Sequence, residues 1–349
     1  MFFASDNASG VAPELLEALG KAAGGYAMPY GNDDLTHAVE ARIREVFEAP
    51  GARVYLVGTG TAANALALGC LCPPWGRIYC HDAAHIEQDE CNAPEFFTGG
   101  AKLGLIGGRD AKIGAGALGA ALAASQPGVV HSAQPAALSV TQATELGATY
   151  RPDEIAALAA LAHGAGLPVH MDGTRFSNAV ARLGVSPAGM SWRAGVDVLC
   201  LGATKCGAMA AEAVILFDPA RAWEFELRRK RGGHLYAKMR FVAAQMLAWL
   251  EGGLWLRLAG HANAMADRLA AGLGQAGAAV LNPVDANMVF ARITLGQHRR
   301  LQAAGARYYL WPKAQLPEGG DAAPVEIRLV TSFATTEKDV DRFLEVLAG

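Results

Sequence analysis

GLPVHMDGTRFSNAVARLGVSPAGMSWRAGVDVLCLGATK, residues 166–205, is the stretch whose reading decides the fold. An apolar run (166–172) ends at Asp172, and a second (196–202) leads through a small-residue loop to Lys205. The two side chains are 33 positions apart, about one strand–helix–strand step. Strands joined by such a crossover lie parallel, and their C-terminal ends share one crevice. The same pattern recurs outward in ARVYLVG (52–58), GRIYCH (76–81), AKLGLI (101–106), AALSV (136–140) and AEAVILF (211–217). Each run is bounded by Gly, Pro, Asp or His, and Ala- and Leu-rich helical segments such as TAANALALGCL and DEIAALAALAHGAG lie between them. The prediction is an α/β fold: a mostly parallel sheet sandwiched by helices.

The flanks read differently. Leu35, Val39, Ile43 and Val46 recur at helical spacing. A long helical stretch runs from Phe241 to about Gly277, broken or bent near Gly252-Gly253. AAVL, NMVFARI, RYYLWP and VEIRLVTSF follow, then a helix beginning near Thr336, where T-x-x-D offers a capping box. PEGGDAAP (317–324) reads as a surface loop. The expected division is an N-terminal arm with a large domain (1–250) and a small C-terminal α+β domain (251–349).

The 349 residues are 52% apolar and only 18% charged, against about 25% charged in typical domains, so a large core or a buried subunit face is expected. A net charge of −3 gives no reason to expect a nucleic-acid partner, and no apolar stretch reaches the ~18 residues of a transmembrane helix. The first residues lack the pattern of a signal peptide. The six cysteines form no C-x-x-C pair, and buried reduced thiols in a cytoplasmic protein are the expectation.

Four groups of residues carry chemistry. Lys205 emerges from an apolar strand, where desolvation favours the neutral, nucleophilic amine; a surface lysine on a strand-end loop is the bland alternative. Asp172, with Thr174 and Arg175 beside it, ends the neighbouring strand, although a lone strand-end aspartate is commonly a helix cap. Gly58-Thr59-Gly60-Thr61 lies between a strand and a helix, so amides and the helix dipole face an anion. The same segment fits G-x-G-x-x-A, with Asp82 following Gly60 by 22 positions, which keeps a nicotinamide-dependent dehydrogenase open. His81 and His85, with Asp89 and Glu90 nearby, match metal-ligand spacing, but no distant third ligand presents itself and no metal is expected. A Schiff-base lysine, a strand-end carboxylate, a phosphate cradle and an aromatic platform together fit pyridoxal phosphate.

With those residues assembled, the chain resembles the low-specificity L-threonine aldolases, including the phenylserine-aldolase type, of the aspartate-aminotransferase-like fold (fold type I). The likeness runs from SDNASG (5–10) through PYGND (29–33), GTGTAAN (58–64), DAAHIEQDE (82–90), SVTQATELG (139–147), HMDGTRFSNA (170–179), LGATKCGAMAAEAV (201–214) and RRKRGGHLYAKMR (228–240) to RLVTSF (328–333). The resemblance implies that Lys205 binds pyridoxal 5'-phosphate covalently, Asp172 pairs with the pyridinium and His85 stacks on the ring. It gives Gly60, Thr61, Gln142, Arg175, Lys230 and Lys238 to cofactor binding, the two lysines reaching a phosphate across a subunit boundary. Ser5, Tyr30, Arg175 and Arg328 fall to the substrate; an arginine fork binds a carboxylate through two parallel hydrogen bonds.

The implied reaction is retro-aldol cleavage of L-threonine, L-allo-threonine or phenylserine to glycine and an aldehyde; His85, directly or through a water, is the candidate for the proton transfer. The implied assembly is a homotetramer with shared active sites. Three departures stand out: Cys206 follows the lysine where Asn is expected, Thr174 and Ser177 replace what are more often alanines, and Thr144 is nearest to a second histidine found in some relatives. A β-lyase or aminotransferase would share every cofactor residue and differ only in the bond cleaved. A non-catalytic protein on the same fold would be expected to have replaced Lys205 or Asp172, and neither is replaced.

Overall fold

The computed structural model describes residues 1–312 and 315–349. All seven apolar runs before residue 220 form strands: β1 (Arg53–Val57), β2 (Gly76–His81), β3 (Lys102–Ile106), β4 (Gln134–Thr141), β5 (Val169–Gly173), β6 (Val198–Gly202) and β7 (Glu212–Leu216). They make one sheet in the order β1-β7-β6-β5-β4-β2-β3. β2, β3, β4, β5 and β6 pair in parallel, whereas β7 runs antiparallel to both β1 and β6. The reversed strand follows from connection length: the nine residues between β6 and β7 are too few for a crossover. Glu212, the first residue of β7, therefore pairs with Gly202 and Val57 at the edge where the parallel strands end.

Both faces of the sheet are covered. One packs against Pro13–Ala22, Asp34–Val46, Pro152–Gly164 and Arg240–Leu250, with Val39, Ile43, Leu158 and Trp249 buried in a common core. The other face packs against the helix Gly60–Leu71, whose residues from Ala62 to Leu71 are all buried, as an apolar helix without a polar stripe must be.

The expected break falls at Gly252 (φ +56°) and Gly253 (φ +70°), a left-handed pair that favours glycine and separates the helices Arg240–Leu250 and Leu254–Gln275. Beyond it β8 (Ala279–Val280), β9 (Met288–Thr294), β10 (Tyr309–Leu310) and β11 (Pro324–Val330) form an antiparallel sheet in the order β10-β11-β9-β8. The last helix, Glu337–Ala348, starts at Thr336 with the expected reciprocal cap from Asp339.

The N-terminal arm packs on the C-terminal sheet. The Phe3 amide bonds to Arg307 O and its carbonyl receives the Val330 amide, and its ring packs on Phe343 in the core of the C-terminal sheet. This anchorage carries Ser5 and Asp6 to the crevice edge. The thiols are free, and five of the six are buried; Cys91 is exposed.

Candidate active site

Asp172 sits at the C-terminal end of β5 with 1% of its surface exposed. Its Oδ1 accepts the Thr174 amide (3.0 Å) and hydroxyl (2.7 Å), and its Oδ2 accepts Nδ2 of Asn64 (2.9 Å). Burial opposes ionisation, but the charge of His85 and the Thr174 bonds prevail and hold the carboxyl below its ordinary range. The threonine that departs from the family pattern thus supplies one of the bonds that keep Asp172 anionic.

Lys205 lies in the short turn Thr204–Cys206 after β6, half-buried, and makes no hydrogen bond among the described residues. Burial first, and the positive charge of Arg175 second, lower its pKa, while Asp6, Asp172 and Glu212 oppose the shift. These are conditions for a nucleophilic amine. Cys206 turns into the core, its Sγ 3.5 Å from Trp255 O and its carbonyl accepting Trp249 Nε1 at 2.9 Å. Glu212, which sequence reasoning missed, is buried beside Thr204 and Lys205, and burial pushes its carboxyl up to about 7. Its signal was weak: a single glutamate opening an apolar run.

His85 opens a one-turn helix after β2. Its amide donates to Glu145 Oε1 (2.7 Å), and its Nδ1 lies 2.9 Å from Glu90 Oε1. Burial pulls the imidazole pKa down, but the Glu90 hydrogen bond and the Asp172 charge outweigh it, so His85 holds its proton to higher pH than usual. Glu145 is raised to about 7 by burial and by Asp172. His81 turns elsewhere: its Nε2 donates to Gly108 O (3.1 Å) and its Nδ1 accepts the Ala83 amide (3.0 Å). The histidine pair therefore does not converge on one point. Ligand atoms of His85, Glu90 and Asp172 do lie within 4.8 Å of one another, but the hydrogen bonds to His85, Asn64 and Thr174 account for that arrangement.

At the mouth of β1, Thr59 caps the helix Gly60–Leu71 by accepting the Ala62 amide (3.2 Å), which leaves the Gly60 and Thr61 amides without a partner among the described residues. The Gly58 amide donates to His234 Nδ1 (3.4 Å), and a Cβ on Gly58 would overlap the Tyr236 hydroxyl. His234 and Tyr236 were legible only as part of the motif around residues 228–240.

Arg175 is already engaged. Its Nε and Nη2 donate to Asp6 at 2.8 and 3.0 Å, and Asn287 Nδ2 donates to the same carboxylate at 3.0 Å. Arg328, on β11, has only a 3.7 Å approach to Met288 Sδ as a hydrogen bond among the described residues; burial, and Arg175 after it, pull its pKa down to about 10. Ser5 Oγ accepts the Asn7 amide at 3.1 Å. Gln142 is fully buried, and both ends of its amide are spent on the Tyr150 backbone. Thr144 is equally buried, its hydroxyl donating to Asp110 O. Tyr30, Lys230 and Lys238 are exposed, with the Lys230 ammonium 4.9 Å from the Tyr30 ring centroid.

These residues fit pyridoxal phosphate. The donor set offers an unbonded amine, an anionic carboxylate for the ring nitrogen, and paired free amides at a helix N-terminus for the phosphate. Asn64 Oδ1 and Glu90 Oε2 are buried without hydrogen-bond partners, which suits a site with a polar group still to receive.

Comparison with known proteins points the same way. A family model described as Beta-eliminating lyase matches residues 3–295. The low specificity L-threonine aldolase of Pseudomonas aeruginosa is 42% identical over 345 residues, 99% of this chain and 95% of that protein. The enzyme of the same name from a Pseudomonas sp. is 41% identical over 308 residues, 88% of each. A Leishmania major threonine aldolase structure superposes with a TM-score of 0.92 at 27% identity, covering 99% and 98% of the two chains. Sphingomonas wittichii serine palmitoyltransferase shares the fold at a TM-score of 0.71 and 15% identity, covering 100% of this chain and 86% of its own. The chain belongs to the low-specificity L-threonine aldolases, pyridoxal-phosphate-dependent lyases of the β-eliminating lyase family.

Proposed function

We propose that this protein cleaves L-threonine, L-allo-threonine and related L-β-hydroxy-α-amino acids such as phenylserine to glycine and an aldehyde. The observation that carries this reading is the unbonded Lys205 amine in the same crevice as the buried, anionic Asp172, with His85 beside that carboxylate. Bound pyridoxal phosphate supplies an electron sink for the pair released when the Cα–Cβ bond breaks. Lys205 would hold the cofactor by its amine, Asp172 would keep the ring nitrogen protonated, and the Gly60 and Thr61 amides would bind the phosphate.

Arg328 is the leading carboxylate anchor, because Asp6 already fills two donors of the Arg175 fork. Arg175 contributes its remaining Nη1 and its charge, and Ser5 stands on the same arm as Asp6. Fixing the carboxylate decides which bond at Cα stands perpendicular to the ring. His85 is the candidate for taking the hydroxyl proton through Nε2, since Nδ1 is held by Glu90; the burial of Thr144 removes it from contention.

The exposed Tyr30, Lys230 and Lys238 support a homotetramer in which these residues complete a neighbouring site. The buried free thiols support a cytoplasmic location, and no helix among the described residues is long and apolar enough to cross a membrane.

The test is product analysis with the cofactor-loaded protein. Equimolar glycine and aldehyde from threonine or phenylserine are expected. Sulfide and pyruvate from cysteine, without aldehyde from either hydroxy amino acid, would move the assignment to β-elimination, the chemistry in the matching family model's description.

A further inference from the structure

We propose that Glu90 is a positioning residue of this site, holding the His85 ring and, through Asn64, the Asp172 carboxylate in one hydrogen-bonded chain. One carboxylate oxygen does both tasks. Glu90 Oε1 lies 2.9 Å from His85 Nδ1 and 2.9 Å from Asn64 Nδ2, and the same Asn64 nitrogen reaches Asp172 Oδ2 at 2.9 Å. The two amide hydrogens of Asn64 thus go one to each acid. Three separate elements meet here: the first turns of Gly60–Leu71 bring Asn64, the segment after β2 brings His85 and Glu90, and the end of β5 brings Asp172.

The arrangement has a chemical consequence. A carboxylate at Nδ1 fixes the imidazole tautomer, so that neutral His85 carries its hydrogen on Nδ1 and presents a bare Nε2 as proton acceptor. The Glu90 side chain is wholly buried, whereas that of His85 is 33% exposed, so the acid stands behind the ring and the ring faces the crevice. Glu90 Oε2 has no hydrogen-bond partner among the described residues, so the bonds at Oε1 are what hold this side chain. The other charged groups around His85 are Asp172 from β5, Lys205 from the turn after β6, and Glu145 from the loop after β4, whose Oε1 receives the His85 amide. Glu90 is the one among them that bonds the ring.

This inference rests on the reading of His85 and Asp172 as cofactor contacts, and the test separates the two. In cofactor-free wild-type protein, nitrogen-detected NMR of His85 should show the Nδ1–H tautomer once the ring is neutral. In Glu90→Gln, which keeps the shape and loses the charge, the His85 proton affinity should fall about tenfold, one pH unit. The pH profile of the bound cofactor's visible absorption should shift the same way. A wild-type ring found as the Nε2–H tautomer overturns the proposal without any variant, so a failure of E90Q to fold does not shield it. An unchanged His85 titration in folded E90Q overturns it equally. An Asp172→Ala protein that binds the cofactor with unaltered affinity and spectrum overturns the site reading itself, and with it the proposal.

Discussion

Two arginines of similar appearance in the sequence hold different positions in the folded chain, and substitution should separate them. Arg175 is paired in bidentate fashion with Asp6, a carboxylate with 1% of its surface exposed. Removing it strands a buried charge, so Arg175→Ala is expected to cost about 3–5 kcal/mol of stability, read as a fall in the denaturation midpoint. Arg328 has no such partner among the described residues; Arg328→Ala should leave the midpoint nearly unchanged and raise KM for threonine instead. Equal stability losses in the two variants would refute this division. Thr174→Ala deletes one hydroxyl bond to Asp172 while leaving the backbone bond in place. A loss of about 1 kcal/mol, or roughly fivefold weaker cofactor retention, is expected in an absorbance titration.

At the scale of elements, the crevice depends on how closely β5, β6 and β7 approach. A Cβ added to Gly173 would stand 2.7 Å from the Cys200 carbonyl and 2.6 Å from a Leu199 methyl. Backbone cannot yield as a side-chain tip does, so Gly173→Ala should push the end of β5 away from β6, and Asp172 with it. About 1–3 kcal/mol of destabilisation is expected, together with loss of cofactor binding. A variant that binds normally would show that the strand ends tolerate separation. Thr336→Ala is the control far from the crevice. Losing the cap on the last helix should cost about 1 kcal/mol and leave kcat unaltered.

Over the whole molecule, the shifted carboxyls around the crevice divide into two groups with opposite pH signatures. Asp6 and Asp172 are shifted down on folding, so their stabilisation is present above the unfolded carboxyl range and is lost as the pH falls through their folded values. Glu90, Glu145 and Glu212 are raised by burial, the last two to about 7, so the folded state binds more protons than the unfolded state from about 4.5 up to that point, and stability declines as pH rises through that range. The cofactor-free protein should therefore be most stable on the acidic side of neutrality. Glu212→Gln should flatten the decline between pH 5 and 7 by up to about 3 kcal/mol, measured as denaturation midpoints at several pH values. A wild-type midpoint that rises from pH 5 to 8 would contradict the sign.

The sequence by itself determined the seven strands, the glycine bend near residue 252, the capped final helix and the placement of Asp172 and Lys205 after neighbouring strands. All of these follow from short-range patterns: apolar runs closed by breakers, turn residues, and one crossover length between two polar side chains. Only the tertiary structure decided the rest, because it depends on neighbours distant in sequence. Asp6 reaches Arg175 across 169 positions and Asn64 reaches Asp172 across 108. Glu212 enters the site because a strand too close to its predecessor for a crossover must run antiparallel. Gln142 and Thr144, polar residues in a family motif, fold inward and satisfy backbone groups. Periodicity reports which residues face a core, but which buried polar atoms meet there is fixed only when the strand ends and the helix Gly60–Leu71 pack together.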